Sequence, residues 1–121
     1  MQTILLVDDD EVLRTLMFDI LEQTYQILEA SDGQKGLNTF EENKQKIKLI
    51  ITDINMPIMS GFEMVKIIRN LSTTVKIMVF SSSINEPQKL FKATGIYIDK
   101  FLQKPATLNE IKETIKELIQ N

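Results

Sequence analysis

The chain has 121 residues, 43% of them hydrophobic and 26% charged, and a net charge of −3. One domain of that length can bury a real core, and the acidic balance argues against nucleic acid as its partner. Cys and His are both absent, which excludes disulfides, thiol nucleophiles, zinc–thiolate centres and histidine bases; a bound metal must then be held by oxygen, favouring Mg²⁺ or Ca²⁺ over zinc.

The apolar runs are too short to span a bilayer, and Met1-Gln2-Thr3 lacks the basic start of a secretory signal. A cytoplasmic, single-domain protein over residues 1–121 is expected. Thr3 to Val7 (TILLV) reads as a buried strand ending in the acidic loop Asp8-Asp9-Asp10. Val12, Leu13, Leu16, Met17, Ile20 and Leu21 then recur at helical spacing, with Asp10 as N-cap and Glu11 in the first turn. Tyr25 to Glu29 is a second strand, and Asp32-Gly33 turns into a short helix carrying Leu37 and Phe40. The charged run Glu41 to Lys48 reads as a solvated helix end and loop.

Leu49, Ile50 and Ile51 form a third strand that stops at Asp53, with Asn55 and Pro57 as turn residues. On this stretch alone Asp53 fits a turn cap and a site residue equally well. Ser60-Gly61 opens a helix with Phe62, Val65, Ile68 and Leu71 on one face. Val75 to Phe80 is the fourth strand, followed by Ser81, Ser82 and Ser83. Asn85 is expected to cap a short helix that has Pro87 in its first turn, packs through Leu90 and Phe91, and ends at Gly95. The fifth strand lies within Ile96 to Leu102, Lys104-Pro105 breaks the chain, and Thr107 with Glu110 forms a capping box for the last helix. Five strands alternating with five helices predict an α/β fold: a parallel sheet between two helical layers.

Asp8 and Asp9, Asp53, Ser81 and Lys104 then fall at strand ends on one edge of that sheet. Two like charges about 4 Å apart repel by roughly 4 kcal/mol at an effective dielectric near 20, so clustered carboxylates either raise one another's pKa or bind a cation. Mg²⁺ suits oxygen ligands of this kind together with a phosphate. A lysine and a hydroxyl nearby are what a transferring phosphoryl group needs, and Asp53 would be its nucleophile.

ILLVDDDE at residues 4–11, LIITDINMP at 49–57, Ser60-Gly61-Phe62, VFSS at 79–82 and FLQKP at 101–105 occur in order along nearly the whole chain. In this the sequence resembles the receiver domain of two-component response regulators. The resemblance implies a flavodoxin-like strand order 2-1-3-4-5, with Asp53 as phosphoacceptor in a Mg²⁺-dependent reaction. It implies that Asp9 binds the metal directly and Asp8 through water, with the backbone carbonyl of Asn55 as a further ligand. Lys104 and the Ser81 hydroxyl would contact phosphoryl oxygens, with Ser82 the alternative hydroxyl. Phe101 takes the switch position, and the Lys104–Pro105 bond would be cis. The implied partners are a sensor histidine kinase or phosphotransfer protein as donor, acting in trans because the chain has no His, and a protein target. The resemblance implies self-catalysed phosphoryl uptake and loss, not enzymatic turnover of a separate substrate.

Several features bear on how far the family pattern carries over. Phe101 lacks the hydroxyl of the commoner Tyr. Gly95 to Lys104 is longer than usual, beside a short preceding helix, on the face receivers use for dimerisation or target binding; this bears on any phosphorylation-dependent dimer. Asn55 and Ser83 occupy positions that tune phosphoryl lifetime in the family. Three rival readings exist. A haloacid-dehalogenase-type phosphohydrolase would place a second Asp where Asn55 stands, and Asn cannot act as the general acid. An interaction module without phosphorylation would have no use for the full set of site residues. A flavin binder would set its phosphate against three acids.

Overall fold

The computed structural model describes residues 1–120. Its elements are β1 (Thr3–Val7), α1 (Glu11–Leu21), β2 (Gln26–Ala30), α2 (Gly33–Glu42), β3 (Ile47–Thr52), α3 (Gly61–Leu71), β4 (Lys76–Ser81), α4 (Asn85–Thr94), β5 (Lys100–Gln103) and α5 (Leu108–Ile119). All strand pairings are parallel, in the order β2-β1-β3-β4-β5. The expected α/β architecture and strand order both hold. The central strands are continuous apolar runs because helices cover both sheet faces, and their alternating side chains feed two cores. Leu5, Val7, Ile50, Ile77 and Val79 meet Leu37 and Phe40 of α2, Val65 and Ile68 of α3, and Phe91 of α4. Ile4, Leu6, Leu49, Ile51, Met78 and Phe80 meet Met17 and Leu21 of α1 and Ile111, Ile115 and Ile119 of α5.

The chain leaves β1 toward β2 on one side and reaches β3 on the other. The crevice of such a sheet opens at the C-terminal ends of the strands flanking this switch point. Asp8 follows β1 and Asp53 follows β3 there, and the Asp53 amide donates to the Val7 carbonyl at 3.1 Å.

Caps explain most helix starts. Asp10, Asp32, Ser60 and Thr107 each accept a first-turn amide, and Thr107 with Glu110 completes the expected capping box. Asn85 does not cap α4. Ile84 holds the cap position without a side-chain bond, and Asn85 is already the first helical residue. At ten residues each, α4 and α2 are shorter than α1, α3 and α5. β3 begins at buried Ile47, inside the run expected to be solvated, because that side chain reaches the first core despite its charged neighbours. β2 runs one residue later than expected, ending at Ala30. Val12, Leu16, Leu71 and Leu90 keep helical spacing yet are exposed, since their helices each turn only a narrow stripe to the sheet.

Candidate functional site

Three strand ends and their loops build the site. Asp8, Asp9 and Asp53 each offer a carboxylate oxygen, and these oxygens lie within 4.8 Å of one another. Lys104, following β5, places Nζ 2.9 Å from Asp8 Oδ2 and 2.9 Å from Asp53 Oδ2. With all four ionised, two negative charges remain in excess, which matches a divalent cation. The donor set is oxygen only, as Mg²⁺ requires.

The second carboxylate oxygens of Asp8 and Asp53 are held by the backbone. Asp8 Oδ1 accepts the Asp10 amide at 2.9 Å, and Asp53 Oδ1 accepts the Ile54 amide at 2.7 Å. Asp8 is only 8% exposed, and burial pushes its carboxyl above the ordinary value, with the Asp10 amide and Lys104 opposing and the Asp53 charge adding. Burial acts to lower the Lys104 ammonium, but its bonds to Asp8 and Asp53 outweigh that and raise it.

Glycine makes the loop after β3 possible. Gly61 donates its amide to the Ile54 carbonyl at 2.8 Å, and a Cβ on it would collide with the Asp53 carbonyl oxygen. Gly33, opening α2, donates to the Met59 carbonyl at 3.0 Å, and a Cβ there would strike the same carbonyl. The loop is thus clamped from both sides by backbone contacts that no side chain would permit. Between these clamps Ile58 has φ +70° and is 81% exposed, a conformation unfavourable for a β-branched residue.

The other candidates are placed as follows. Ser81 is buried at the end of β4 whereas Ser82 is exposed; strand alternation puts Ser81 on the same sheet face as Ile77 and Val79. The Lys104 amide donates to the Ser81 carbonyl at 2.9 Å, so the hydroxyl-bearing strand end and the lysine are joined. Asn55 is exposed in the loop after Asp53. Phe101 is half-buried, its ring centroid 6.0 Å from that of fully buried Phe91, which is in turn 5.2 Å from Phe62. The Lys104–Pro105 bond is cis. Arg14 carried no signal in the sequence, yet its Nη1 donates to the Asp8 carbonyl at 2.6 Å. Thr52 likewise carries no signal in the sequence, and it donates its hydroxyl to the Asp53 carbonyl at 2.7 Å.

Residues 4–116 match the family model described as the response regulator receiver domain. Over 114 residues the chain is 35% identical to the sensor histidine kinase RcsC of Escherichia coli, a match covering 93% of this chain and 12% of that protein. The chain therefore spans about an eighth of that relative's length. Among solved structures, a response regulator receiver domain protein from Clostridium thermocellum superposes with a TM-score of 0.88 at 26% identity, covering 98% of this chain and 94% of that one. The response regulator TrrA of Thermotoga maritima, solved in complex with Mg(2+)-BeF, superposes with a TM-score of 0.86 at 31% identity, covering 98% and 100%.

Proposed function

The chain belongs to the response regulator receiver family, and from that premise we propose that it is a phosphorylation-operated switch with Asp53 as phosphoacceptor. The observation that carries the reading is the Lys104 ammonium held between Asp8 and Asp53 at 2.9 Å from each, beside an oxygen cluster with excess negative charge. Asp8, Asp9, Asp53 and the Asn55 carbonyl would hold Mg²⁺. The metal, when bound, supplies charge neutralisation where two anions must approach. The Mg(2+)-BeF complex of the Thermotoga maritima relative supports that assignment.

An Asp53 carboxylate oxygen attacks phosphorus of a phosphohistidine, the P–N bond breaks, and its electron pair stays on the departing imidazole nitrogen. The product is an aspartyl phosphate. Lys104 and the Ser81 hydroxyl steady phosphoryl oxygens, where charge develops. Ser81 is favoured over Ser82 because it ends β4 beside the lysine. Phe101, already against Phe91, transmits the change toward α4. Its lack of a hydroxyl lets the ring stay inward with no polar group to desolvate.

The donor is a sensor histidine kinase or phosphotransfer protein. Supporting a protein donor, the segments that leave the site's strand ends carry exposed apolar residues: Val12, 80% exposed, and Leu16 on α1, Ile58 in the loop after β3, and Leu108 opening α5. Ile58 is both strained and solvated, a combination that stability alone would not favour. The downstream partner is a protein target bound differently after phosphorylation. Uptake and loss of the phosphoryl group are self-catalysed, and the chain turns over no separate substrate. Residues 1–121 act as one domain in the cytoplasm; among the described residues no helix is long and apolar enough to cross a membrane.

Incubation with a small acyl-phosphate donor and Mg²⁺ should raise the intact mass by one phosphoryl group, and Asp53→Asn should abolish the gain. Uptake persisting undiminished in that variant would overturn the assignment.

A further inference from the structure

The strand ladder ends at Val7, which pairs with Ala30 on one side and Thr52 on the other. Asp8 has left the sheet, and its polar atoms find other partners. Its amide donates to the Ala30 carbonyl at 3.1 Å, and its two carboxylate oxygens take the Asp10 amide and Lys104 Nζ at 2.9 Å each. Its carbonyl accepts from Arg14 Nη1 at 2.6 Å. That carbonyl belongs to the peptide group joining Asp8 to Asp9. The orientation of this one plane sets where both neighbouring carboxylates point.

Arg14 is suited to hold it. Its side chain, on α1, is 16% exposed, and Nε donates to Glu29 Oε1 on β2 at 3.1 Å. Glu29 precedes Ala30, the residue that accepts the Asp8 amide. The guanidinium is planar and presents its donors in a fixed fork, so one group spans Glu29 and the Asp8 carbonyl with little freedom to lose. The helix, the second strand and the loop after the first strand therefore meet at Arg14.

We propose that Arg14, braced by Glu29, is a positioning residue for the acidic cluster: it fixes the Asp8–Asp9 peptide plane and so holds the two carboxylates at cation-binding separation. The inference rests on reading that cluster as a Mg²⁺ site. Charge and position predict opposite signs here. Removing a cation from beside a cation site should tighten Mg²⁺ by electrostatics alone, whereas releasing the peptide plane should weaken it.

Calorimetric titration of Mg²⁺ into wild type, Arg14→Met, Arg14→Lys and the Arg14→Met/Glu29→Gln double variant tests this. Arg14→Met should bind Mg²⁺ roughly tenfold more weakly, the usual cost of losing an outer support of a metal site. Arg14→Lys keeps the charge but loses the fork, and should also bind more weakly. Adding Glu29→Gln to Arg14→Met should change little, because the brace has nothing left to orient. A metal-free readout accompanies these: exchange of the Asp10 amide, bonded to Asp8 Oδ1, should quicken in Arg14→Met. Mg²⁺ binding in Arg14→Met that equals or exceeds wild type, or wild-type affinity in Arg14→Lys, would overturn the inference while leaving the phosphoacceptor reading intact. A wild-type protein that binds no Mg²⁺ would overturn both.

Discussion

Two ionic groups sit at opposite edges of the same sheet, and they are built on opposite principles. At the N-terminal ends of β4 and β5, Arg69 donates to the carbonyls of Tyr97 and Val75 at 2.9 and 2.7 Å and to Asp99 Oδ2 at 3.1 Å. Asp99 Oδ2 also accepts the Ile77 amide at 2.8 Å, and Lys76 Nζ stands 3.8 Å from Oδ1. No acid in that group lacks a base. At the C-terminal ends, three carboxylates share one lysine. A satisfied network locks a loop in place, while a cluster with surplus charge is unfinished without a further cation. Surplus charge, more than burial or hydrogen bonding, separates a site from a clasp.

The sharpest way to break this contrast is to damage the clasp. Arg69 and Asp99 side chains are 10% and 9% exposed, so Arg69→Met would leave Asp99 without its main counter-charge and strand two carbonyls. A loss of about 3 kcal/mol, or roughly 10 °C in melting temperature, is expected. Added Mg²⁺ should not restore it. A loss below about 1 kcal/mol would mean that the clasp is ornamental.

The acidic cluster should answer with the opposite sign. Asp9 is exposed and contributes like charge beside Asp8 and Asp53. Asp9→Asn should therefore leave metal-free stability unchanged or raise it by about 0.5 kcal/mol, and should remove most of the stabilisation that Mg²⁺ gives the wild type. Thermal melts of both proteins with and without Mg²⁺ check this. A destabilised metal-free variant would place Asp9 among the structural acids instead.

The smallest effect is one of pH. Because burial raises the Asp8 carboxyl in the folded state, the folded chain binds a proton at this group more readily than the unfolded one. Its contribution to stability is complete below the unfolded value, about 4, and is lost as pH rises through the folded value above it. Without metal, wild type minus Asp8→Asn stability should fall across that window. Mg²⁺ should reverse the slope, because it needs the ionised carboxylate. A difference that rises with pH in the metal-free proteins would show that Lys104, not burial, governs Asp8.

Much of this is legible in the sequence. Strand existence follows from apolar runs separated by helical periods, the order 2-1-3-4-5 from the family resemblance alone, and strand boundaries fall within a residue or two because Asp, Gly and Pro punctuate them. Asp8, Asp9, Asp53 and Lys104 could be placed together because each directly follows a strand, and in a parallel sheet all such positions share one edge. Residue type and position along the chain carry that information.

What the sequence could not yield was decided by packing and by the backbone. Ser81 is buried and Ser82 exposed because the pleat sends neighbours to opposite faces, and only the paired strand shows where β4 ends. The outward Val12 and Leu16 look like core by spacing alone; the angle at which α1 rests on the sheet turns them to solvent. Arg14 and the Arg69 clasp share a deeper reason. Each guanidinium is aimed at backbone carbonyls, and a carbonyl is the same in every residue. A side chain that recognises a carbonyl leaves no trace in its partner's identity, so the chain alone fixes which acids meet, and the tertiary structure decides what holds them there.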